Sequence, residues 1–86
     1  MSGGWRYVSD HARVRAVERL SFEPSDDEWR DAALTILDTV AGQPPLALLI
    51  RRDGIREVWR VKVAHTEALV VWDPSTAVIV TVLPWR

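Results

Sequence analysis

Cysteine is absent from this chain of 86 residues, so neither a disulfide nor a thiolate metal site can form. Long apolar runs are also missing, and nothing approaches the roughly 18 consecutive apolar residues of a membrane-spanning helix. No apolar signal-peptide segment follows Met1, because the polar stretch Ser2-Gly3-Gly4 leads directly into the domain. These absences predict a cytoplasmic protein with no membrane partner.

A large excess of one charge is missing as well, since the formal net charge is −1. A general polyanion binder needs many cationic contacts to phosphate, and this balance does not supply them. The charges are nevertheless segregated along the chain. Residues 23–41 carry six acidic and one basic side chain, whereas residues 42–66 carry five basic and two acidic ones. The overall charge therefore neither supports nor excludes a nucleic-acid partner.

The apolar fraction of 48% and the five tryptophans predict one folded domain over residues 1–86, with residues 1–9 as an N-terminal extension.

Two helices are predicted within residues 10–42. Asp10 is predicted to cap the first helix. The apolar face of this first helix is predicted to comprise Val14, Val17 and Leu20. A capping box at residues 25–28 predicts the start of the second helix. Its predicted buried side chains are Trp29, Ala33, Ile36, Leu37 and Val40.

Residues 46–83 predict a four-stranded antiparallel β-meander, so the expected architecture is an α+β fold with both helices packed on one face of the sheet. The last two strands, residues 68–73 and 77–83, are rich in valine on both sides, which is typical of central strands or of strands covered on both faces. The dipeptide Asp53-Gly54 predicts a type I′ turn, which places Arg51 opposite Arg56. The predicted apolar face comprises Leu46, Leu48, Ile50, Ile55, Trp59, Val61 and Val63. The predicted basic face comprises Arg51, Arg56, Arg60 and Lys62, with Ala47, Leu49 and Val58 between them.

The first helix also carries a charged edge. His11, Arg15 and Glu18 are spaced at i, i+4 and i+7, so they lie along one edge with Arg19 beside them. Histidine titrates near neutral pH and arginine binds phosphate bidentately, so this edge predicts a general acid or base next to phosphate-binding cations. The alternative is a solvated helix flank on which Arg15 and Glu18 form a simple i, i+3 ion pair.

The basic sheet face and Thr81 form a second candidate site. Arg51, Arg56, Arg60 and Lys62 would repel one another unless a bound polyanion, acids of the second helix or water offset their charge. Thr81 interrupts an apolar strand, and its hydroxyl either fills an ordinary strand position or binds a phosphate. The sequence contains no zinc spacing, P-loop or dinucleotide fingerprint, so neither a metal nor a cofactor is predicted.

A family resemblance involves the same charged helix edge. The pattern HAxxRxxER at residues 11–19, followed by a helix and by strands that end in TVLP at residues 81–84, resembles small phage and bacterial proteins of the barnase-, colicin- and RelE-like ribonuclease-toxin class. The resemblance implies metal-independent cleavage of RNA by groups on the first helix and the sheet. Together with the two charged surfaces, it gives His11, Glu18, Arg15 and Arg60 as candidate catalytic residues. The candidate substrate-binding residues are Arg19, Arg51, Arg56, Lys62 and Thr81.

Two functional hypotheses follow, and the sequence leaves both open. A metal-independent endoribonuclease requires that His11, Arg60 and Lys62 converge within about 10 Å, because each must reach one scissile phosphate. A non-catalytic, phage-type module would instead bind and modulate a host enzyme or assembly through the acidic start of the second helix. The acidic residues there are Asp26, Asp27, Glu28 and Asp31. RNA binding without cleavage, and an oligomer formed through exposed sheet edges, are further alternatives.

Overall fold

The computed structural model describes residues 7–43 and 47–84, in which two helices precede four strands. The helices are α1 (Asp10–Leu20) and α2 (Asp26–Val40), and the strands are β1 (Leu48–Asp53), β2 (Arg56–Val63), β3 (Thr66–Asp73) and β4 (Val78–Leu83). The strands form one antiparallel sheet in the order β1-β2-β3-β4. The predicted α+β fold, with two helices before a four-stranded antiparallel meander, is confirmed.

A serine caps the start of each helix. The Ser9 hydroxyl accepts a hydrogen bond from the Ala12 N–H at 3.0 Å, so the cap lies one residue before the predicted Asp10. The predicted capping box of α2 is present. Ser25 Oγ accepts a hydrogen bond from the Glu28 N–H, and the Glu28 carboxylate accepts one from the Ser25 N–H at 2.8 Å. Both caps satisfy backbone donors that the first helical turn leaves unpaired.

The segment before α1 holds the start of this helix against β4. Val8 and Ile79 form an isolated parallel bridge, in which the Ser9 N–H donates to the Ile79 carbonyl and the Ile79 N–H donates to the Tyr7 carbonyl, both at 2.9 Å. The Ser9 hydroxyl also donates to the Val80 carbonyl at 2.7 Å. Helix α1 accordingly lies against β4, whereas α2 packs against β2.

Helix α1 buries a different face from the predicted one. Ala12 and Ala16 are fully buried in the core, whereas Val14 and Val17 are 59% and 48% exposed. Ala12, Ala16 and Leu20 follow one another at intervals of four residues, so they share one side of the helix. The prediction was wrong for Val14 and Val17, because the contact with β4 uses the small alanines, but Leu20 does pack against the core.

The core consists of side chains from both helices and from one face of the sheet. Trp29 and Ile36 of α2 share one buried cluster with Trp59 and Trp72 of the sheet. The buried β2 residues of this cluster alternate along the strand, as expected for a sheet with one covered face. Of the α2 side chains predicted to be buried, Val40 is exposed because it lies on the last turn.

The turn between β1 and β2 lies one residue later than predicted. Gly54 and Ile55 occupy the turn, and Asp53 pairs with Arg56. Gly54 has φ +67°, whereas Ile55 does not have a positive φ, and a type I′ turn requires positive φ at both central residues. The predicted turn type and the pairing of Arg51 with Arg56 are therefore wrong.

The shifted turn, together with a bulge between Leu49 and Arg51, changes which β1 side chains face the core. Leu49 pairs with Trp59 and packs against the core, and Ala47 is buried there, although both were predicted on the basic face. Three residues predicted on the apolar face are exposed: Leu48, Ile50 and Ile55. The β2 part of the predicted apolar face is confirmed by the burial of Trp59, Val61 and Val63. Leu46 lies outside the described residues.

Ala16→Leu is expected to lower the free energy of unfolding by about 1–3 kcal/mol, because a fully buried site between α1 and β4 cannot accept the added carbons without strain. The matched control is Val17→Leu at the neighbouring exposed position, which should change stability by no more than about 0.5 kcal/mol. Urea denaturation followed by tryptophan fluorescence measures both values. Equal losses in the two variants would contradict the assigned buried face of α1.

Candidate functional site

The predicted charged edge of α1 forms as a surface ion pair. Arg15 Nη1 donates to Glu18 Oε1 at 2.7 Å, and both side chains are partly exposed. This hydrogen bond and the charge of Arg15 lower the pKa of Glu18, and the charges of Arg19 and His11 lower it further. Glu18 is therefore ionised at neutral pH, where it can orient Arg15 but is poorly suited to donate a proton. The arrangement matches the solvated i, i+3 pair that was the alternative interpretation of this edge.

The other face of the sheet is covered by neither helix, because the buried side chains of α1 and α2 cluster with the opposite set of strand residues. We call it the open face. Side chains alternate between the two faces along β2. Because Trp59, Val61 and Val63 are buried on the covered face, the residues at the alternate positions lie on the open face. These residues are Arg56, Val58, Arg60 and Lys62. The register with β1 adds Arg51, which pairs with Val58, so all four predicted basic side chains lie on the open face.

Glu67 of β3 offsets the positive charge at one end of the open face. Arg60 Nε and Glu67 Oε1 form an ion pair at 3.5 Å, and Lys62 is the register partner of Glu67 in the sheet. The prediction offered acids of α2 as one source of compensation. The structure supplies the carboxylate from the neighbouring strand instead.

Asp73 supplies a negative charge at the other end of the open face, where β3 ends. A hydrogen bond from the Ser75 hydroxyl, at 2.7 Å, lowers the pKa of Asp73, and the charge of nearby Arg56 lowers it further. Asp53 of β1 pairs with Arg56 from the other side. Each end of the open face therefore carries charges of both signs.

The middle of the open face is apolar on β3 and β4, whereas β1 and β2 contribute Arg51 and Arg60 there. Val58 is only 2% exposed although it lies outside the core cluster, and its register partners are Arg51 and Val71. Leu69 pairs with Leu83, and both are half-buried. An apolar centre with a charged border is the usual composition of a protein–protein interface.

Thr81 also lies on the open face, where it pairs with Val71 and is half-buried. Its position in the apolar centre makes it an ordinary member of the strand. The basic side chains of β2 follow the far side of this centre, and the strand β3 lies between them and Thr81. The arrangement does not form a compact phosphate pocket around the hydroxyl.

The structure does not bring the α1 edge and the sheet cations together. Ala12 and Ala16 fix α1 on the covered face of the sheet, and His11 belongs to that helix. Arg60 and Lys62 lie on the open face, on the far side of the sheet. The two groups therefore lie on opposite faces of the sheet. The predicted combined site therefore gains no support, because alternation along β2 sends its cations away from the helices.

The acidic start of α2, which was the predicted docking surface, is largely engaged within the chain. Asp26 and Asp27 form ion pairs with arginines at 2.6 Å and 3.4 Å, and Glu28 closes the capping box. The two arginines are Arg13 and Arg30, respectively. Asp31 is exposed on the next turn. Arginines beside two of these acids weaken the case for a strongly acidic docking patch.

The contribution of β3 and β4 to the open face was not predicted from the sequence. Both strands were predicted to be central or covered on both faces; β3 is central, but Leu69, Val71 and Leu83 are half-buried on the side away from the helices. Glu67 and Asp73 are in phase with Leu69 and Val71 along β3. This alternation of acidic and apolar residues was the available signal that one face of β3 borders solvent.

Comparisons with protein-family models, with curated proteins and with solved structures give no match for this chain. The resemblance to ribonuclease toxins therefore stays a prediction based on the sequence pattern. Within residues 7–43 and 47–84, no helix is long and apolar enough to cross a membrane. The same residues contain no group of three histidine, aspartate or glutamate side chains placed to hold a metal ion.

Arg15→Gln is expected to raise the pKa of Glu18 toward the ordinary value of a glutamate, because the ionised carboxylate loses its hydrogen bond and nearest positive charge. The contribution of this pair to stability is present above the ordinary pKa and is lost as the pH falls through the lowered one. Carboxyl-detected NMR titration measures the pKa. The control is Arg13→Gln, which removes another α1 arginine and should leave Glu18 unchanged. An unchanged Glu18 pKa in Arg15→Gln would contradict the assigned pair.

Proposed function

We propose that this chain is a non-catalytic interaction module that binds a protein partner through the open face. The observation that carries the proposal is the apolar centre of Leu69, Val71 and Leu83, which are half-buried, on a sheet face that neither helix covers. Water remains in contact with part of this centre, so a partner that covers it gains hydrophobic free energy. The charged ends can then fix the orientation of the partner.

The charges on the open face favour a protein over RNA. Glu67 lies beside Arg60, and Asp73 lies near Arg56, so an RNA backbone would approach carboxylates as well as cations. Single-stranded RNA is commonly bound by stacking its bases on aromatic side chains. The tryptophans of β2 and β3 are buried on the covered face, and the described part of the open face carries no aromatic residue.

The separation of the two charged surfaces removes the main support for the endoribonuclease hypothesis. A catalytic His11 needs a cation in reach of the same phosphate. On its own helix edge it has Arg15 and Arg19, and Arg15 is already paired with Glu18. The sheet cations lie on the other side of the molecule. The alternative of a module that modulates an enzyme or assembly is retained, with its docking surface moved from α2 to the open face.

Leu69→Glu is expected to reduce partner binding by about tenfold or more, because it replaces an apolar contact in the interface with a carboxylate that must lose its water. The measurement is affinity capture by the immobilised chain from cells that express it, with quantitative mass spectrometry. A specific partner should be enriched by the wild type. The matched control is Val14→Glu, which adds the same charge at an exposed apolar site on α1 and should leave capture unchanged.

Circular dichroism of both variants shows whether each remains folded before capture is compared. Equal capture by Leu69→Glu and the wild type would contradict the open face as the binding surface. A second result would contradict the absence of catalysis: RNA cleavage by the purified chain that persists in EDTA and is lost in His11→Ala. That result would restore the endoribonuclease hypothesis.

A further inference from the structure

We propose that the open face binds the open face of a second copy of this chain, so that two sheets pack face to face about a two-fold axis. The axis runs parallel to the strands, between β2 and β3. The inference rests on the proposed function, because it names the partner of the same surface. The support for this inference is that the charged residues and the apolar residues of the open face are each placed so that the face is complementary to itself.

The symmetry follows from the sheet register. A two-fold axis parallel to the strands exchanges β2 with β3 and leaves positions along the strands unchanged. Residues that are register partners within one chain therefore oppose each other between the two chains. Lys62 and Glu67 are such partners, and so are Val58 and Val71.

Opposite charges meet at both ends of this arrangement. At one end, Lys62 of each copy faces Glu67 of the other, so four charges of alternating sign form a ring, with Arg60 ion-paired beside it. At the other end, Arg56 of one copy faces Asp73 of the other. Because the interface is isologous, each favourable contact occurs twice.

The charges are incompatible with the other two-fold axis in the plane of the interface. A two-fold axis perpendicular to the strands would leave each strand opposite itself and reverse its direction. Lys62 would then face Arg56, and Glu67 would face Asp73. Like charges would meet at both ends, which is unfavourable in an interface. Charge therefore selects the axis parallel to the strands.

The apolar centre fits the same axis. Val58 and Val71 of one copy oppose Val71 and Val58 of the other, and the exchange of β1 with β4 brings Leu48 opposite Leu83. Leu48 is 50% exposed in the single chain, so its burial supplies part of the driving force. Two aligned sheets packed face to face lie about 10 Å apart.

The size of the open face sets the expected affinity. Four strands of six to eight residues present roughly 450 Å² per copy at ordinary strand spacing, or roughly 900 Å² in the pair. Standard interfaces begin at about 1,200 Å², so this area is smaller. The dimer is therefore expected to be weak and reversible.

Two charge reversals test the pairing: Lys62→Glu and Glu67→Lys. Each variant alone opposes like charges at two symmetric positions, so its self-association should be at least about tenfold weaker than that of the wild type. In an equimolar mixture, the introduced carboxylate of one variant meets the introduced ammonium of the other. The mixture should therefore associate to within about threefold of the wild-type constant. Sedimentation equilibrium over the micromolar to millimolar range measures all four samples.

The changes within each variant chain are the same whether the variant is alone or mixed with the other. If self-association recovers on mixing, the two charges therefore meet between chains and do not act only within one chain. The matched control is Asp31→Lys on α2, which changes the net charge by the same amount as Glu67→Lys and should self-associate like the wild type. Weaker association in this control, or failure of the mixture to recover, would overturn the inference.

A wild-type chain that stays monomeric up to about 1 mM would also overturn the inference, since the corresponding affinity would be negligible. The proposed function would survive that result if Leu69→Glu still abolished capture of another protein. If Leu69→Glu changed neither self-association nor capture, both proposals would fail.

Discussion

The burial of Trp29, Trp59 and Trp72 between the helices and the sheet is the interaction on which the rest of the structure depends. Two helices of 11 and 15 residues cover one face of the sheet, and the tryptophans decide which face that is. Because strand side chains alternate, the same choice sends Arg60 and Lys62 to the opposite side. The core thus determines the geometry of the charged surface as well as the stability of the fold.

Elements with a strong local signal were predictable from the sequence. The capping box at Ser25 and Glu28 and the helical spacing after it located α2, and the alternation of β2 located its basic side. The sequence pattern gave wrong predictions where a contact between secondary-structure elements uses residues that the pattern did not favour. Helix α1 packs through Ala12 and Ala16 although larger apolar side chains were available. The hairpin turn shifted to Gly54 and Ile55, because a glycine at the first central position also permits a turn that begins one residue later.

Only part of the candidate site could be predicted from the sequence, because the sequence did not indicate the tight turn between β2 and β3. The strand predicted over residues 68–73 begins one residue after Glu67, which left Glu67 outside the predicted sheet. In the structure, Val63 pairs with Thr66, and Ala64 adopts φ +60° in a tight turn. Alanine rarely takes this conformation, so nothing in the local sequence indicated the turn. The carboxylate that balances the β2 cations was missed for that reason.

The proposed binding surface exists only if no part of the chain covers the open face. Methyl NMR with a soluble gadolinium chelate tests this condition at a concentration where the chain is monomeric. The methyl groups of Leu48 and Leu69 should relax strongly in the presence of the probe, whereas those of Ile36 in the core should not. If the methyl groups of Leu69 were as protected as those of Ile36 in the monomer, the open face would be covered within the chain, and its role as a binding surface would be contradicted.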